Sequence, residues 1–211
     1  MNETTDFERR VSSLIEQSIA TKQSMLSNRE LISTAAKVSA ILVHAMKRGN
    51  KLLIFGNGGS AAQAQHIAAE FVGRFAFDRP ALPALALSVN GSCVTAIGND
   101  YGFDLIFSRQ LEALARRGDV AIGISTSGNS PNVVKAMSTA RKMELHTVAL
   151  TGAAGGGLKG RVDHCICVPS NETPRIQEGH ILVGHIISEL VELEMFQKHG
   201  QQPNRNRRQP R

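Results

Sequence analysis

Three stretches of this chain carry residues that can do chemistry. His66 and Glu70 are four residues apart, a spacing that puts both on one face of a helix and suits a metal ligand pair. Gln177, Glu178, His180 and His185 interrupt an otherwise apolar stretch near the C-terminus. Gln177 and His185, about two turns apart, point to similar sides, and polar groups in so apolar a helix need partners. Ser125-Thr126-Ser127-Gly128-Asn129-Ser130 gathers four hydroxyls ahead of Pro131. Serine hydroxyls and backbone N–H groups at a helix start can wrap a phosphate without Lys or Arg. An ordinary capped turn needs one serine, so the excess reads as phosphate binding.

Each pattern has a plainer rival. Glu70 can pair with Arg74 as a solvated helical ion pair, leaving His66 a surface histidine. Gly56-Asn57-Gly58-Gly59-Ser60-Ala61 matches the G-x-G-x-x-A dinucleotide pattern. However, the second strand ends Leu87-Ser88-Val89-Asn90, with no acid for ribose hydroxyls. A Walker loop is excluded, because no Lys-Ser or Lys-Thr follows the glycines. What remains is an anion-binding turn, in which glycines let the backbone approach a ligand.

The elements that would hold these groups alternate. Leu52–Phe55, Ala84–Leu87, Val120–Ile124, His146–Leu150 and Cys165–Val168 read as short apolar strands. Helices are expected after Ser60 as cap, from Asp104 to Arg117, from Pro131 to Met143, and from Pro174 to Lys198. Gly98-Asn99-Asp100-Tyr101-Gly102 reads as a polar turn. Two amphipathic helices come first: Phe7, Val11, Leu14, Ile15 and Ile19 form one stripe, and Leu31, Ala35, Val38, Ile41, Leu42 and Met46 another. A Ser27/Glu30 capping box would start the second. The pair is more than a small sheet needs for cover and is expected to build a subunit interface as well. The fold class is therefore α/β, a three-layer α/β/α arrangement around a five-stranded parallel, flavodoxin-like sheet. A single domain is expected over residues 1–198. Ligands should bind beyond the carboxyl ends of the strands, where Gly56–Ser60 and Ser125–Ser130 both fall.

Composition narrows the class. The net charge of +6 includes Arg205, Arg207, Arg208 and Arg211, and without those four the rest carries +2. A basic, disordered tail over 199–211 on a near-neutral body does not argue for a nucleic-acid groove. No apolar run approaches membrane-span length. The polar N-terminus, MNETTDFERR, argues against a secretory signal, so cytoplasmic residence is expected. Cys93, Cys165 and Cys167 make no disulfide framework; the last two share a strand face and read as buried small hydrophobes rather than a metal pair.

Five ordered blocks, GNGGSAAQAQHIAAE, AIGNDYGF, GISTSGNSPNVVKA, VALTG and RIQEGHILVGH, make the chain from about Lys51 to Phe196 resemble the sugar isomerase (SIS) domain proteins, and among them the bacterial phosphoheptose isomerases. The resemblance implies interconversion of sedoheptulose 7-phosphate and D-glycero-D-manno-heptose 7-phosphate, feeding heptose synthesis for lipopolysaccharide-type surface polymers. By position it implies Glu70 as general base and His185 as general acid, with zinc on His66, Glu70, Gln177 and His185. Asn57, Gly58, Gly59, Asn99, Asp100 and Gln177 would contact substrate, while Ser125, Thr126, Ser127 and Ser130 hold its phosphate. It also implies a homotetramer with sites at subunit boundaries. A sister family, non-catalytic SIS tetramers that bind the replication initiator DnaA, is the alternative. It is disfavoured because this chain has both the carboxylate at 70 and the imidazole at 185.

Overall fold

The structure, a computed structural model, describes residues 3–197. The basic tail read from the sequence lies outside the described residues.

Two helices, α1 (Glu3–Ser27) and α2 (Arg29–Lys47), precede the sheet. Asn28, not Ser27, caps α2. Asn28 has extended backbone angles and its side chain accepts the Leu31 N–H at 3.0 Å. Ser27 is still inside α1, and its hydroxyl donates to the Gln23 carbonyl one turn back. The expected capping box is therefore one residue out of place.

Five parallel strands follow: β1 (Leu52–Gly56), β2 (Ala84–Ala86), β3 (Val120–Ile124), β4 (His146–Thr151) and β5 (His164–Cys167). Each lies within one residue of its expected bounds. The order is β2-β1-β3-β4-β5, the flavodoxin-like arrangement. Chain direction across the sheet reverses between β1 and β3, whose ends pair at Gly56 and Ile124. This switch point puts the glycine turn and the serine turn side by side.

Alternation along β1 builds both cores. Leu52 and Ile54 pack under α2, α3 (Gly59–Val72) and α7 (Thr173–Phe196), with Leu42, Phe71 and Ile187. Leu53 and Phe55 pack on the opposite face with Phe107, Leu111 and Met137, under α5 (Ser108–Leu114) and α6 (Pro131–Lys142). At the base of β3, burial pushes Asp119 up. Hydrogen bonds from Lys51, Arg116 and Asn50 outweigh it and hold the carboxyl below its usual range.

Two local expectations are corrected. Residues 98–101 are not a turn but the end of a helix, α4 (Gly91–Tyr101), capped by Asn90. Val94 and Ile97, on one face of it, pack against the second core, and this tertiary contact outweighs the polar composition. The helix expected over 104–117 is broken into a 3-10 turn, Phe103–Leu105, and the short α5. The break puts Ile106 and Phe107 both inside, with Phe107 5.2 Å from Phe55 between ring centres. Among the described residues no helix is long and apolar enough to cross a membrane.

Candidate functional site

Helices α3 and α7 lie side by side and run in the same direction, since Gln63 meets Gln177 while His66 meets His185 further along both. Close packing depends on Gly184. A Cβ there would come within 2.5 Å and 2.7 Å of the Ile67 side chain, so only glycine lets the helices approach this nearly. The neighbouring residue, His185, is thereby carried to His66.

Three groups converge at this contact. His66 Nε2 lies 2.9 Å from His185 Nε2 and 3.3 Å from Glu70 Oε1, and all three ligand atoms fall within 4.8 Å of one another. The Glu70 side chain is only 20% exposed, whereas that of His66 is 52% exposed. The cluster is therefore open on the His66 side and sheltered at the carboxylate. Among the described residues no ion pair joins Glu70 to Arg74, so the plainer helical pairing is not the one formed. Gln177 sits earlier on α7, its amide over Gly59 and its carbonyl accepting from Gln63 at 2.6 Å.

The paired turns form the second part. Gly58 adopts φ +53° and caps α3 through its backbone alone, which glycine tolerates without a Cβ clash. Ser60, expected as the cap, is instead buried inside the first turn. Ser130 occupies the cap position of α6, yet its hydroxyl pairs with Ser125 at 2.9 Å instead of capping the helix. Pro131 has no N–H and the Val133 N–H goes to the Asn132 Oδ1 at 2.9 Å, so of the first turn of α6 only the Asn132 N–H remains for an anion or for water. Asn129 braces the turn, accepting from the Gly157 N–H and donating to the Ser127 carbonyl. Asn57 and the buried Asn132 exchange two hydrogen bonds of 2.9 Å, stitching the β1 turn to the β3 turn. Sequence reasoning missed Asn132; a polar side chain one place into a helix that follows a strand was the available signal.

Asn99 and Asp100 hydrogen-bond each other at the exposed end of α4. Asp100 lines a different cavity of about 600 Å³ with Tyr101 and Arg109. Among the described residues no hydrogen bond or ion pair joins them to the serine turn or to the histidines.

Other polar groups of α7 are structural. Glu178 binds Arg175 at 2.6 Å and Ser18 at 2.6 Å, fastening α1 to α7. His180 is fully buried and its Nε2 bonds the Thr151 carbonyl at 3.0 Å; burial lowers its pKa to about 4, so the ring is neutral. Two further residues, unread in the sequence, support the site. Arg79 donates to the Glu70 carbonyl at 2.7 Å, the Phe71 carbonyl at 2.6 Å and Glu192 at 3.0 Å. Glu192 in turn accepts the N–H groups of Phe75 and Ala76, and Phe75 packs on the His185 ring. The ion pair is 2% and 1% exposed, and it clamps the end of α3 to α7.

A family model described as the SIS domain matches residues 7–152. The phosphoheptose isomerase of Aneurinibacillus thermoaerophilus is 53% identical over 88% of this chain and 94% of its own length. That of Citrifermentans bemidjiense is 58% identical over 80% and 88%. The solved phosphoheptose isomerase GmhA from Neisseria gonorrhoeae superposes with a TM-score of 0.83 at 41% identity, covering 88% of this chain and 98% of that one. The chain belongs to the SIS domain family and, within it, to the phosphoheptose isomerases.

Proposed function

We propose that this protein is an aldose–ketose isomerase that converts sedoheptulose 7-phosphate to D-glycero-D-manno-heptose 7-phosphate. The observation that carries the reading is the meeting of Glu70 with two imidazoles across two helices, on a chain that also has the serine turn. Glu70 removes a proton from C1 of the ketose while His185 gives one to the C2 oxygen, forming an enediol. His185 then takes the proton from the C1 oxygen as Glu70 returns its own to C2. A positioned acid and a positioned base typically contribute about 10²–10⁴-fold each. Ser125, Thr126, Ser127, Ser130 and the α6 N-terminus hold the phosphate, with Asn57, Gly58, Gly59 and Gln177 along the sugar. Asn99 and Asp100 complete the set from a neighbouring subunit. His66 lies about 10 Å along α3 from Gly59, a span suited to a seven-carbon chain.

The donor set also fits zinc. Two nitrogens on one tetrahedral ion would stand about 3.3 Å apart for a 2.0–2.1 Å bond, against the 2.9 Å between the imidazoles here. His66, Glu70, Gln177 and His185 would hold it, and its chemistry there is to stabilise negative charge on the enediolate oxygen.

The α1 stripe supports a homotetramer. Phe7, Val11, Ile15 and Ile19 are 50–61% exposed, an apolar face that a second copy would cover. Cytoplasmic residence suits a phosphorylated sugar substrate, and the product would feed lipopolysaccharide heptose. The DnaA-binding alternative gains no support from the site or the relatives. Turnover of sedoheptulose 7-phosphate tests the reading. Glu70→Gln and His185→Ala should abolish it with the assembly intact by light scattering, and wild-type rates from either variant would refute it. Running the assay with a chelator, then restoring zinc, shows whether turnover depends on the ion.

A further inference from the structure

The segment from the end of β4 toward β5, TGAAGGGLKG over 151–160, is rich in glycine and packs against the serine turn. Three of its N–H groups are given to that turn: Gly152 to the Thr126 carbonyl at 2.9 Å, Leu158 to the Gly128 carbonyl at 3.1 Å, and Gly157 to Asn129 Oδ1 at 2.7 Å. Gly128 and Gly156 meet face to face, with φ of +67° and +55°. A Cβ on Gly156 would run into the Ser127 carbonyl oxygen and stand 2.7 Å from the Gly128 carbonyl carbon and 2.8 Å from its Cα. A Cβ on Gly128 would run into the Gly155 carbonyl oxygen in the same way. We infer that the loop 152–158 positions the phosphate turn and that Gly156 sets how closely the two approach, an inference that rests on the phosphate reading of Ser125–Ser130.

The contact is between two backbones, so no side chain can turn aside to make room. Carbon atoms pack at about 3.5–4.0 Å, so an alanine at 156 has to drive loop and turn apart by roughly 1 Å. What moves is the group that would grip the phosphate. Ser127 Oγ accepts the Asn129 N–H at 3.2 Å, which leaves its own hydrogen for a ligand. Asn129 meanwhile uses its amide on the Gly157 N–H and on the Ser127 carbonyl at 3.1 Å. A shift of that size takes a donor set at about 2.8 Å out of hydrogen-bonding range. The reacting carbons lie at the other end of the sugar, beside Glu70 and His185. The loss therefore falls on binding that ground state and transition state share, which raises KM and spares kcat. A loop that only supported the fold would instead lower the active fraction, and kcat with it.

Steady-state kinetics of the full chain, with inorganic phosphate as a competitive probe, tests this. Gly156→Ala should raise KM for sedoheptulose 7-phosphate by about tenfold or more, with kcat within about threefold of wild type. Inhibition by inorganic phosphate should weaken by a similar factor. Asn129→Ala removes two hydrogen bonds of the brace without adding an atom. It should shift both constants the same way by a smaller factor, whether or not Gly156→Ala folds. Gly160→Ala, in the same loop with nothing within 4 Å of the added Cβ, should match wild type in both. Wild-type turnover that inorganic phosphate does not inhibit would remove the phosphate reading and this inference with it. Inhibition of wild type that Gly156→Ala and Asn129→Ala leave unchanged, or loss of kcat at constant KM in both, would overturn this inference alone.

Discussion

Replacing Glu192 by glutamine probes how the catalytic helix is held. In the native chain the carboxylate accepts three N–H groups, from Phe75 at 2.8 Å, Ala76 at 2.7 Å and Arg79 at 3.0 Å, with 1% of its side chain exposed. Glutamine keeps one acceptor oxygen, but it turns an NH2 group toward an N–H and leaves the Arg79 charge buried without a counter-charge. Removing one partner of such a pair costs about 3–5 kcal/mol. For a chain of this size that lowers the unfolding midpoint by roughly 6–20 °C. Catalysis should suffer separately, because Arg79 also holds the Glu70 and Phe71 carbonyls and the loop that sets Phe75 on His185. A displacement of about 1 Å at the base can cost about 10²-fold. Calorimetry and steady-state turnover of sedoheptulose 7-phosphate, measured well below the midpoint, separate the two effects. Arg79→Met/Glu192→Leu removes both charges, so it should regain part of the midpoint while kcat stays low. A Glu192→Gln protein that melts and turns over like wild type would refute the clamp.

His180 should make the fold sensitive to acid. Its folded pKa of about 4 lies below the usual 6.5, so the unfolded chain binds the extra proton and stability falls as pH drops from 6.5 toward 4. His180→Gln can still donate to the Thr151 carbonyl but does not titrate. The stability gap between the two proteins should therefore shift by up to about 3 kcal/mol in the variant's favour across that window; parallel denaturation curves would contradict this. Ile15→Asp, on the exposed stripe of α1, should yield smaller particles in light scattering than wild type, and an unchanged mass would remove α1 from the interface.

Much of the layout was legible because it is local. The five strands are short apolar runs bounded by turn residues, and a run too short for a helix can be placed without knowing its neighbours. Four-residue spacing put His66 and Glu70 on one face, and the surplus of hydroxyls at 125–130 marked the anion turn. Errors came where the decision was not local. Residues 98–101 look like a turn by composition, yet Val94 and Ile97 pack beneath and make them helical. The cap moved from Ser27 to Asn28 because α1 continues through Ser27.

The sequence by itself determined which residues could act and on which element each would ride, since a helix repeat and a strand repeat fix the direction of side chains. Only the tertiary structure decided which of them meet. His66 and His185 are 119 residues apart, and the absence of a Cβ at Gly184 sets the helix distance that joins them. Arg79 reads as one more charge in a proline-containing loop until Glu192, 113 residues on, is found against it in the dry interior. Such long-range pairings leave no periodic trace in the chain, because they follow from how whole elements pack and not from the spacing within any one of them.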